Sequence, residues 1–381
     1  MENFTGPFVK HFSTITDPRI ERQKLHKLTD ILVITLCAVI CGADSWENIE
    51  TFGNAKLEWF KKFLELPNGI PSHDTLGRVF SLLDPMQFEK SFIEWMKSCV
   101  KLSPGSIIPI DGKCLKSSYD PRSPNKTAIY MVSAFAAANG LILGQRKIDD
   151  KSNEITAIPK LLETLYLRGC IVTIDAIGCQ KDIAAKIIEQ EADYVLALKG
   201  NQGNQGNLHK DIKLYLDSIA DQKLKKIPHL TLETVEKGHG RVEERRYWIT
   251  ESTDWLPNKE LWANLRSIGM VEAKRHIGNE ISVERRYYIS SLPADINKFS
   301  HAVRGHWSIE NNLHWVLDVS FADDEIKTYT GHSAENLAII RRIAYNLMKQ
   351  DNKKISMKGK RLNAGWNNDY LKKLLSQLFK F

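Results

Sequence analysis

Two short stretches, IIPIDGK (107–113) and IVTIDAIG (171–178), each place an aspartate directly after a run rich in β-branched residues. Such runs, when turn residues bound them, are typical of buried strands. Asp111 and Asp175 are therefore predicted to lie at strand ends on the edge of a sheet. A cation bound at that edge would hold both carboxylates ionised.

The region around these stretches, residues 101–215, alternates predicted strands and helices. After the strand that carries Asp111, residues 128–137 and 141–148 are predicted to pair around the Asn139-Gly140 turn, a strong hairpin signal. A helix, the strand that carries Asp175, a second helix and a last strand follow. This order predicts an α/β fold: a ribonuclease-H-like mixed sheet with helices packed on it.

Four further segments flank this core. Residues 1–100 are predicted to form a helical N-terminal domain, either as a plain helical bundle or with a helix-turn-helix, a DNA-binding motif, around the PNGIP breaker at 67–71. Residues 216–293 follow a Gly/Asn/Gln loop at 200–207, and their polar-apolar alternation predicts an inserted antiparallel sheet. Helical patterns over 294–350 are predicted to complete the core, and residues 351–381 form a basic tail.

A third acidic residue, Glu310, lies in the predicted helix RGHWSIENNLHWVLD (304–318). Helical spacing places it on one face with apolar neighbours, which are Trp307, Leu313 and Leu317. A glutamate on such a face costs desolvation energy unless a cation or a partner offsets it. Glu310 is therefore either a metal ligand or a buried residue paired with Arg304 or His306.

Asp111, Asp175 and Glu310 together form an all-oxygen ligand set, which suits Mg²⁺. A pair of such ions can clamp the attacking and leaving oxygens of a phosphoryl transfer. The three residues are therefore predicted to bind metal and to be catalytic. The acidic cluster at 323–325 is the alternative source of the third ligand.

Composition and charge narrow the function classes. The chain has 381 residues, and 53 Lys and Arg against 46 Asp and Glu give a net charge of +7. This excess permits a polyanionic partner without requiring one. The six cysteines form no CxxC pair or zinc pattern, which is typical of a reducing compartment. The longest apolar run, 31–41, is too short to span a membrane, and no secretory signal is visible, so we expect a cytoplasmic protein without membrane contact.

Basic residues concentrate on the predicted hairpin at 237–246, where arginines could bind phosphates in bidentate fashion. Glutamates at 243, 244 and 284 favour an alternative, a cross-strand ladder of Arg/Glu pairs on a solvated sheet. The complete predicted DNA-binding set is Lys113, Lys199, His239, Arg241, Arg245, Arg304, His306 and Arg341.

Long blocks of the chain resemble the DDE transposases of bacterial insertion sequences, in the group that includes the H-repeat-associated proteins of Rhs elements. The resemblance covers nearly the whole chain and rests on blocks such as GIPSHDTLGRVFSLLD (69–84), VTIDAIGCQKDIA (172–184) and RGHWSIENNLHWVLDVSFADD (304–324). The catalytic acids of that group fall on Asp111, Asp175 and Glu310. The resemblance also implies a ribonuclease-H-like core with a β-rich insertion between the second aspartate and the glutamate.

The resemblance further implies a function in DNA transposition and recombination. Such enzymes cut and join double-stranded DNA at the terminal inverted repeats of the element and in target DNA, with Mg²⁺, or Mn²⁺ as a substitute. They act as homo-oligomers on DNA, in the nucleoid of the bacterial cytoplasm. Two alternatives stay open: a metal-dependent endonuclease without strand transfer, and a catalytically silent DNA-binding remnant. Where related transposases carry Tyr, Arg and Lys around the glutamate, this chain has Val303, His306 and Leu317, so the phosphate-binding role of that signature is not implied here.

Overall fold

The computed structural model describes residues 6–122, 127–148, 154–200, 206–223, 226–238, 241–277, 280–325 and 327–378. Strands in this part of the chain build one mixed sheet, which holds helices on its faces. The strands are β1 (Ile107–Leu115), β2 (Ile129–Ala136), β3 (Leu141–Lys147), β4 (Ile171–Ile174), β5 (Asp193–Leu198), β6 (Leu230–Gly238), β7 (Arg241–Thr250), β8 (Ser267–Ile277) and β9 (Glu280–Ser290). Their order across the sheet is β3-β2-β1-β4-β5-β9-β8-β7-β6.

The helices fall into three groups along the chain. The N-terminal group is α1 (Pro7–Phe12), α2 (Leu28–Ile40), α3 (Trp46–Ala55), α4 (Leu57–Phe60), α5 (His73–Leu82) and α6 (Pro85–Cys99). The helices between strands are α7 (Glu154–Leu162), α8 (Lys181–Glu189) and α9 (Gly206–Ala220). The C-terminal group is α10 (Ile296–His306), α11 (Trp315–Phe321), α12 (Ser333–Gln350), α13 (Met357–Trp366) and α14 (Asn368–Leu375).

The first five strands have the topology that the sequence predicts. β1 pairs antiparallel with β2, and β2 pairs antiparallel with β3. β1 and β4 run parallel, as do β4 and β5, with α7 and α8 as the crossover helices. A three-stranded meander followed by two parallel strands on its β1 edge is the ribonuclease-H-like arrangement, so the predicted fold class is confirmed.

One strand differs from the prediction in its extent. β1 does not end before Asp111 but continues to Leu115, because its ladder with β2 runs from Ile110 to Leu115. Its parallel ladder with β4 does stop at Ile110. Asp111 is therefore placed where the sheet loses one neighbour rather than at the end of its strand.

The β-rich insertion is an antiparallel meander of β6 to β9. It does not stand apart from the core, because β9 pairs antiparallel with β5 through the register pairs 195↔290 to 198↔287. The insertion therefore extends the catalytic sheet sideways, and α10 packs against both halves of it.

The N-terminal helices share a hydrophobic core with the sheet and the C-terminal helices. One cluster of buried side chains runs from Phe8 to Leu378. Helix α2 is buried along nearly its whole length and contacts α12, α3 and α13, as its uninterrupted apolar sequence indicates. Within the described residues, no helix is both long enough and apolar enough to cross a membrane.

The N-caps in this region follow ordinary capping rules. Ser72 accepts a hydrogen bond from the Thr75 N–H at the start of α5, and Ser45 accepts one from the Asn48 N–H at the start of α3. Between α3 and α5 stand α4 and residues 61–72. A helix-turn-helix joins its helices by a turn of about three or four residues, so the helical-bundle alternative describes this region.

Candidate metal centre

The register of β1 and β4 brings the two aspartates together. Ile110 pairs with Ile174, and each is followed directly by its aspartate. Burial, and next the neighbouring charges of Glu310 and Asp175, raise the pKa of Asp111 to about 8, while a 2.9 Å hydrogen bond from the Gly112 N–H opposes this shift. Asp111 is therefore a half-buried carboxylate that faces two others.

Glu310 begins a π-helical turn, Glu310–His314, between α10 and α11. The N–H of Trp315 donates to the Glu310 carbonyl, which is the i to i+5 bond of a π turn. The sequence predicts that Glu310 shares an apolar face with Trp307 and Leu313, and this expectation is wrong. The buried stripe consists of Ile309, Leu313 and Leu317, whereas Glu310 lies beside it and is exposed.

The tightest group of potential ligands contains a residue that the sequence reasoning missed. Side-chain ligand atoms of Asp111, Glu310 and His314 all lie within 4.8 Å of one another. Nδ1 of His314 is 3.5 Å from Oδ2 of Asp111. Burial, and next the positive charge of Lys113, lowers the pKa of His314 to about 4, so its imidazole is neutral at neutral pH. The i, i+4 spacing of Glu310 and His314 was the signal that could have found it.

Asp175 stands at the edge of this group rather than inside it. Its carboxylate accepts a hydrogen bond from the Ile177 N–H at 3.1 Å, and its charge acts on both Asp111 and Glu154. Glu154, at the start of α7, was also missed; burial and the charge of Asp175 raise its pKa. Gly112 makes room for it, because a Cβ at that position would overlap the Glu154 carboxylate.

Two of the three alternative ligands, Asp323 and Asp324, are engaged elsewhere. Asp323 is fully buried and pairs with the guanidinium groups of Arg341 and Arg342 at 3.3 and 3.0 Å. Asp324 pairs with Lys113 and Lys116 at 3.0 and 2.6 Å. Asp323 and Asp324 are thus already paired with basic side chains, and Glu310 is better placed to be the third acid.

The alternative partners of Glu310 are likewise engaged. Arg304 donates to Glu236 at 2.7 Å, and Nδ1 of His306 lies 3.1 Å from the Thr173 hydroxyl. No salt bridge of Asp111 or Glu310 to a Lys or Arg occurs within the described ranges. Asp111, which is partly buried beside other carboxylates and lacks a basic counterion, is stabilised in its ionised form by a cation, so these residues fit a divalent ion.

Three members of the predicted DNA-binding set are buried and need correction. Lys113 pairs with Asp318 at 2.6 Å, Arg245 pairs with Glu236 at 3.0 Å and with Glu243, and Arg341 is only 1% exposed beside Asp323. Their charges are already compensated inside the protein, so they cannot reach a phosphate backbone in this structure. For Arg245, the ladder of Arg/Glu pairs is the correct alternative.

Two other members of the set, Lys199 and His306, line a cavity beside Asp175. This cavity has a volume of about 400 Å³, and its lining includes Asp175, Lys199, Arg286, His306 and Trp307. Lys199 is exposed at the end of β5, and the Arg286 guanidinium lies 4.5 Å from the centre of the Trp307 ring. Burial lowers the pKa of His306 to about 4.

For two other members of the predicted DNA-binding set, the structure describes no side chain. Arg241 begins β7, but its side chain is not described, and His239 lies outside the described residues. Arg304 is about two-fifths exposed and lines a second, adjacent cavity. Lys199, Arg304 and His306 are thus the predicted DNA-binding residues that stand near the acids.

Comparison with known proteins agrees with the class of protein that this fold and acidic cluster define, a DNA transposase. The family described as "Transposase DDE domain" matches residues 102–347, and the associated domain, "DDE_Tnp_1-associated", matches residues 9–96. The chain belongs to the DDE transposase family, which is an enzyme family of DNA-acting proteins that depend on divalent metal.

Similar proteins cover almost the whole chain. "Putative transposase YncI" of Escherichia coli O157:H7 is 43% identical over 372 residues, which is 96% of this chain and 93% of that protein. "H repeat-associated putative transposase YhhI" of Escherichia coli strain K12 is 41% identical over 374 residues, 97% of each chain. A cryo-EM structure of the piggyBac transposase synaptic complex with hairpin DNA matches with a TM-score of 0.43 at 11% identity, over 98% of this chain and 79% of that one.

Proposed function

We propose that this protein cuts DNA at the ends of an insertion sequence and joins those ends to target DNA. Asp111, Asp175 and Glu310 hold Mg²⁺ in this proposal, and Mn²⁺ can substitute for it. The observation that carries the proposal is the meeting of these three acids at one edge of the sheet, where burial and mutual repulsion raise the pKa of Asp111 to about 8. Such repulsion is relieved when a divalent ion binds.

The bound ions supply charge for the attacking and the leaving oxygens of the phosphodiester. The chain itself positions the reactants. Asp111 is fixed by its pairing with Ser133 in the ladder of β1 and β2 and by its bond from the Gly112 N–H, and Glu310 by the π turn. This rigidity matters because phosphoryl transfer depends on positioning and on charge neutralisation more than on covalent chemistry by the protein.

We assign the DNA-binding role near these acids to Lys199, Arg304 and His306. Lys199 and His306 line the cavity beside Asp175, and Arg304 leads into the adjacent one. Duplex DNA that carries terminal inverted repeats, and then target DNA, would lie across this edge of the sheet. Pairing of two ends would require a homo-oligomer on DNA, in the bacterial cytoplasm at the nucleoid.

The test is cleavage of a DNA that carries the ends of the element, with Mg²⁺ or Mn²⁺. Wild type and Glu310→Gln are compared, with Glu325→Gln as the matched control, because Glu325 is exposed in the same region of the chain. We expect metal-dependent nicking by wild type and the control, and none by Glu310→Gln. A precut end then separates strand transfer from hydrolysis. Tight end binding by wild type without any cleavage would overturn the proposal in favour of a silent DNA-binding protein.

A further inference from the structure

His314 lies at the other end of the π turn that Glu310 begins. Its side chain, like that of Glu310, lies close to Asp111 on β1. Its Nδ1 is 3.5 Å from Oδ2 of Asp111, which is long for a hydrogen bond. Two ligands of one ion, each about 2.1 Å from it, are about 3.0–3.5 Å apart in octahedral or tetrahedral geometry. The separation of these two atoms is thus that of neighbouring ligands.

The π turn explains how both side chains reach one point. Its i to i+5 bond, from the Trp315 N–H to the Glu310 carbonyl, accommodates one residue more than an α-helical turn. The turn therefore changes the angle between Glu310 and His314 from what an ordinary helix would give. Single π turns inside α-helices occur frequently at functional sites.

The burial of His314 is the second, independent observation. Its residue is only 8% exposed, so the imidazole is held against the Asp111 carboxylate instead of turning to solvent. A histidine buried in a core normally has hydrogen-bond partners for its ring nitrogens, whereas Nδ1 of His314 meets the Asp111 carboxylate only at 3.5 Å. The nearest cation, Lys113, is engaged with Asp318 and Asp324.

We propose that His314 is a nitrogen ligand of the divalent ion that Asp111 and Glu310 hold. The proposal rests on the metal-dependent function argued above and deepens it, because the centre would then contain one imidazole among carboxylates. Imidazole suits transition-metal ions, whereas Mg²⁺ prefers oxygen ligands and water. The site would therefore bind Mn²⁺ more tightly than Mg²⁺, by a margin that depends on this histidine.

Pulsed electron paramagnetic resonance of Mn²⁺ bound to the full-length protein tests this directly. A coordinated imidazole gives a hyperfine coupling between the Mn²⁺ electron spin and its ¹⁴N nucleus. When ¹⁵N-histidine is incorporated into otherwise unchanged protein, a ¹⁵N coupling replaces this ¹⁴N coupling. We expect the coupling in wild type and its loss in His314→Gln. We also expect Mn²⁺ affinity to fall by at least about tenfold in this variant, a loss comparable to that from removing an orienting partner alone.

His306→Gln is the matched control, because His306 is the other imidazole near the acids and binds Thr173. The coupling should survive in this variant. Mn²⁺ binding by wild type without nitrogen coupling, or a coupling that only His306→Gln abolishes, would overturn the assignment of His314. Failure of wild type to bind Mn²⁺ at all would instead overturn the proposed function, so the two failures are distinguishable. The ¹⁵N-labelled wild type gives an answer even if His314→Gln does not fold.

Discussion

Ile110 and Ile174 are register partners in the parallel ladder of β1 and β4, so Asp111 and Asp175 follow at the same level of the sheet. A slip of one residue would turn one aspartate to the opposite face, because side chains alternate along a strand. The acidic site is therefore specified by the packing of two apolar runs. Its geometry is set before any ion binds.

Metal should stabilise the folded protein through these acids. We expect Mn²⁺ to raise the melting temperature of wild type, because an ion that binds only the folded state at about 100 times its Kd adds about 2.7 kcal/mol to the free energy of unfolding. Asp111→Asn should lose this response, because Asp111 is the acid on which the charges of both Glu310 and Asp175 act. Differential scanning fluorimetry of chelator-treated protein, with and without added Mn²⁺, measures this rise in melting temperature.

Glu325→Gln is the control for this measurement, since Glu325 is exposed on the chain segment that follows α11. It should retain the full metal response. An Asp111→Asn protein that is stabilised as much as wild type would show that Mn²⁺ binds elsewhere, and the acidic cluster would lose its role as the metal centre.

DNA affinity should depend on Lys199 and hardly on Arg341. Lys199 is exposed at the cavity beside Asp175, whereas Arg341 is buried against Asp323. We expect Lys199→Ala to weaken binding to all DNA sequences and to reduce the slope of log affinity against log salt by about 1. Fluorescence anisotropy over a salt series measures both effects.

Lys259→Ala is the matched control, because the Lys259 charge is already paired with Asp254. It should bind DNA as wild type does. Arg341→Met should instead lower the free energy of unfolding, with the salt slope unchanged in the protein that remains folded. A reduced salt slope in Arg341→Met would contradict its assignment to the core.

The sequence predicts the strands well because local patterns determine them. Runs such as 171–174 consist of β-branched residues throughout, which favours a strand buried on both faces. The position of Asp175 directly after such a run then follows from the chain alone. The inserted meander was equally visible, because its alternation spans four strands.

The environment of each charge was not visible in the same way. Lys113, Arg245 and Arg341 look like free cations in the sequence, and only tertiary contacts reveal the carboxylates that pair with them. The π turn also shifted Glu310 from the apolar stripe onto which regular helical spacing would place it. A sequence pattern assumes regular helices, so one extra residue in a turn moves every following side chain.

Asp30, in the first turn of α2, should destabilise the protein above pH 6. It is 4% exposed, Oδ2 lacks a hydrogen bond among the described residues, and burial raises its pKa to about 6. Because the folded state holds the proton more tightly than the unfolded chain, stability contributed by the protonated form is lost as pH rises from about 4 to about 6. We expect Asp30→Asn to gain about 2 kcal/mol at pH 7.5 and nothing at pH 4. Urea unfolding at both pH values measures this difference.

Asp74→Asn is the control, since Asp74 lies in the first turn of α5 with an exposed side chain. It should change stability by a few tenths of a kcal/mol at most, through the helix dipole. Equal effects of Asp30→Asn at pH 4 and pH 7.5 would show that the cost of Asp30 does not come from its ionisation.

The ion pair of Glu89 and Arg146 should couple the N-terminal helices to the sheet. Glu89 on α6 is 4% exposed and accepts hydrogen bonds from Nε and a terminal nitrogen of Arg146 on β3, at 3.0 and 2.6 Å. Arg146→Met would leave a buried carboxylate without its partner, which costs about 3 kcal/mol. The double variant Glu89→Met/Arg146→Met should regain most of that loss, because two well-packed apolar side chains replace a buried pair at little cost. Urea unfolding of the four proteins in this cycle gives the coupling free energy, and strictly additive losses would show that the pair does not join the two regions.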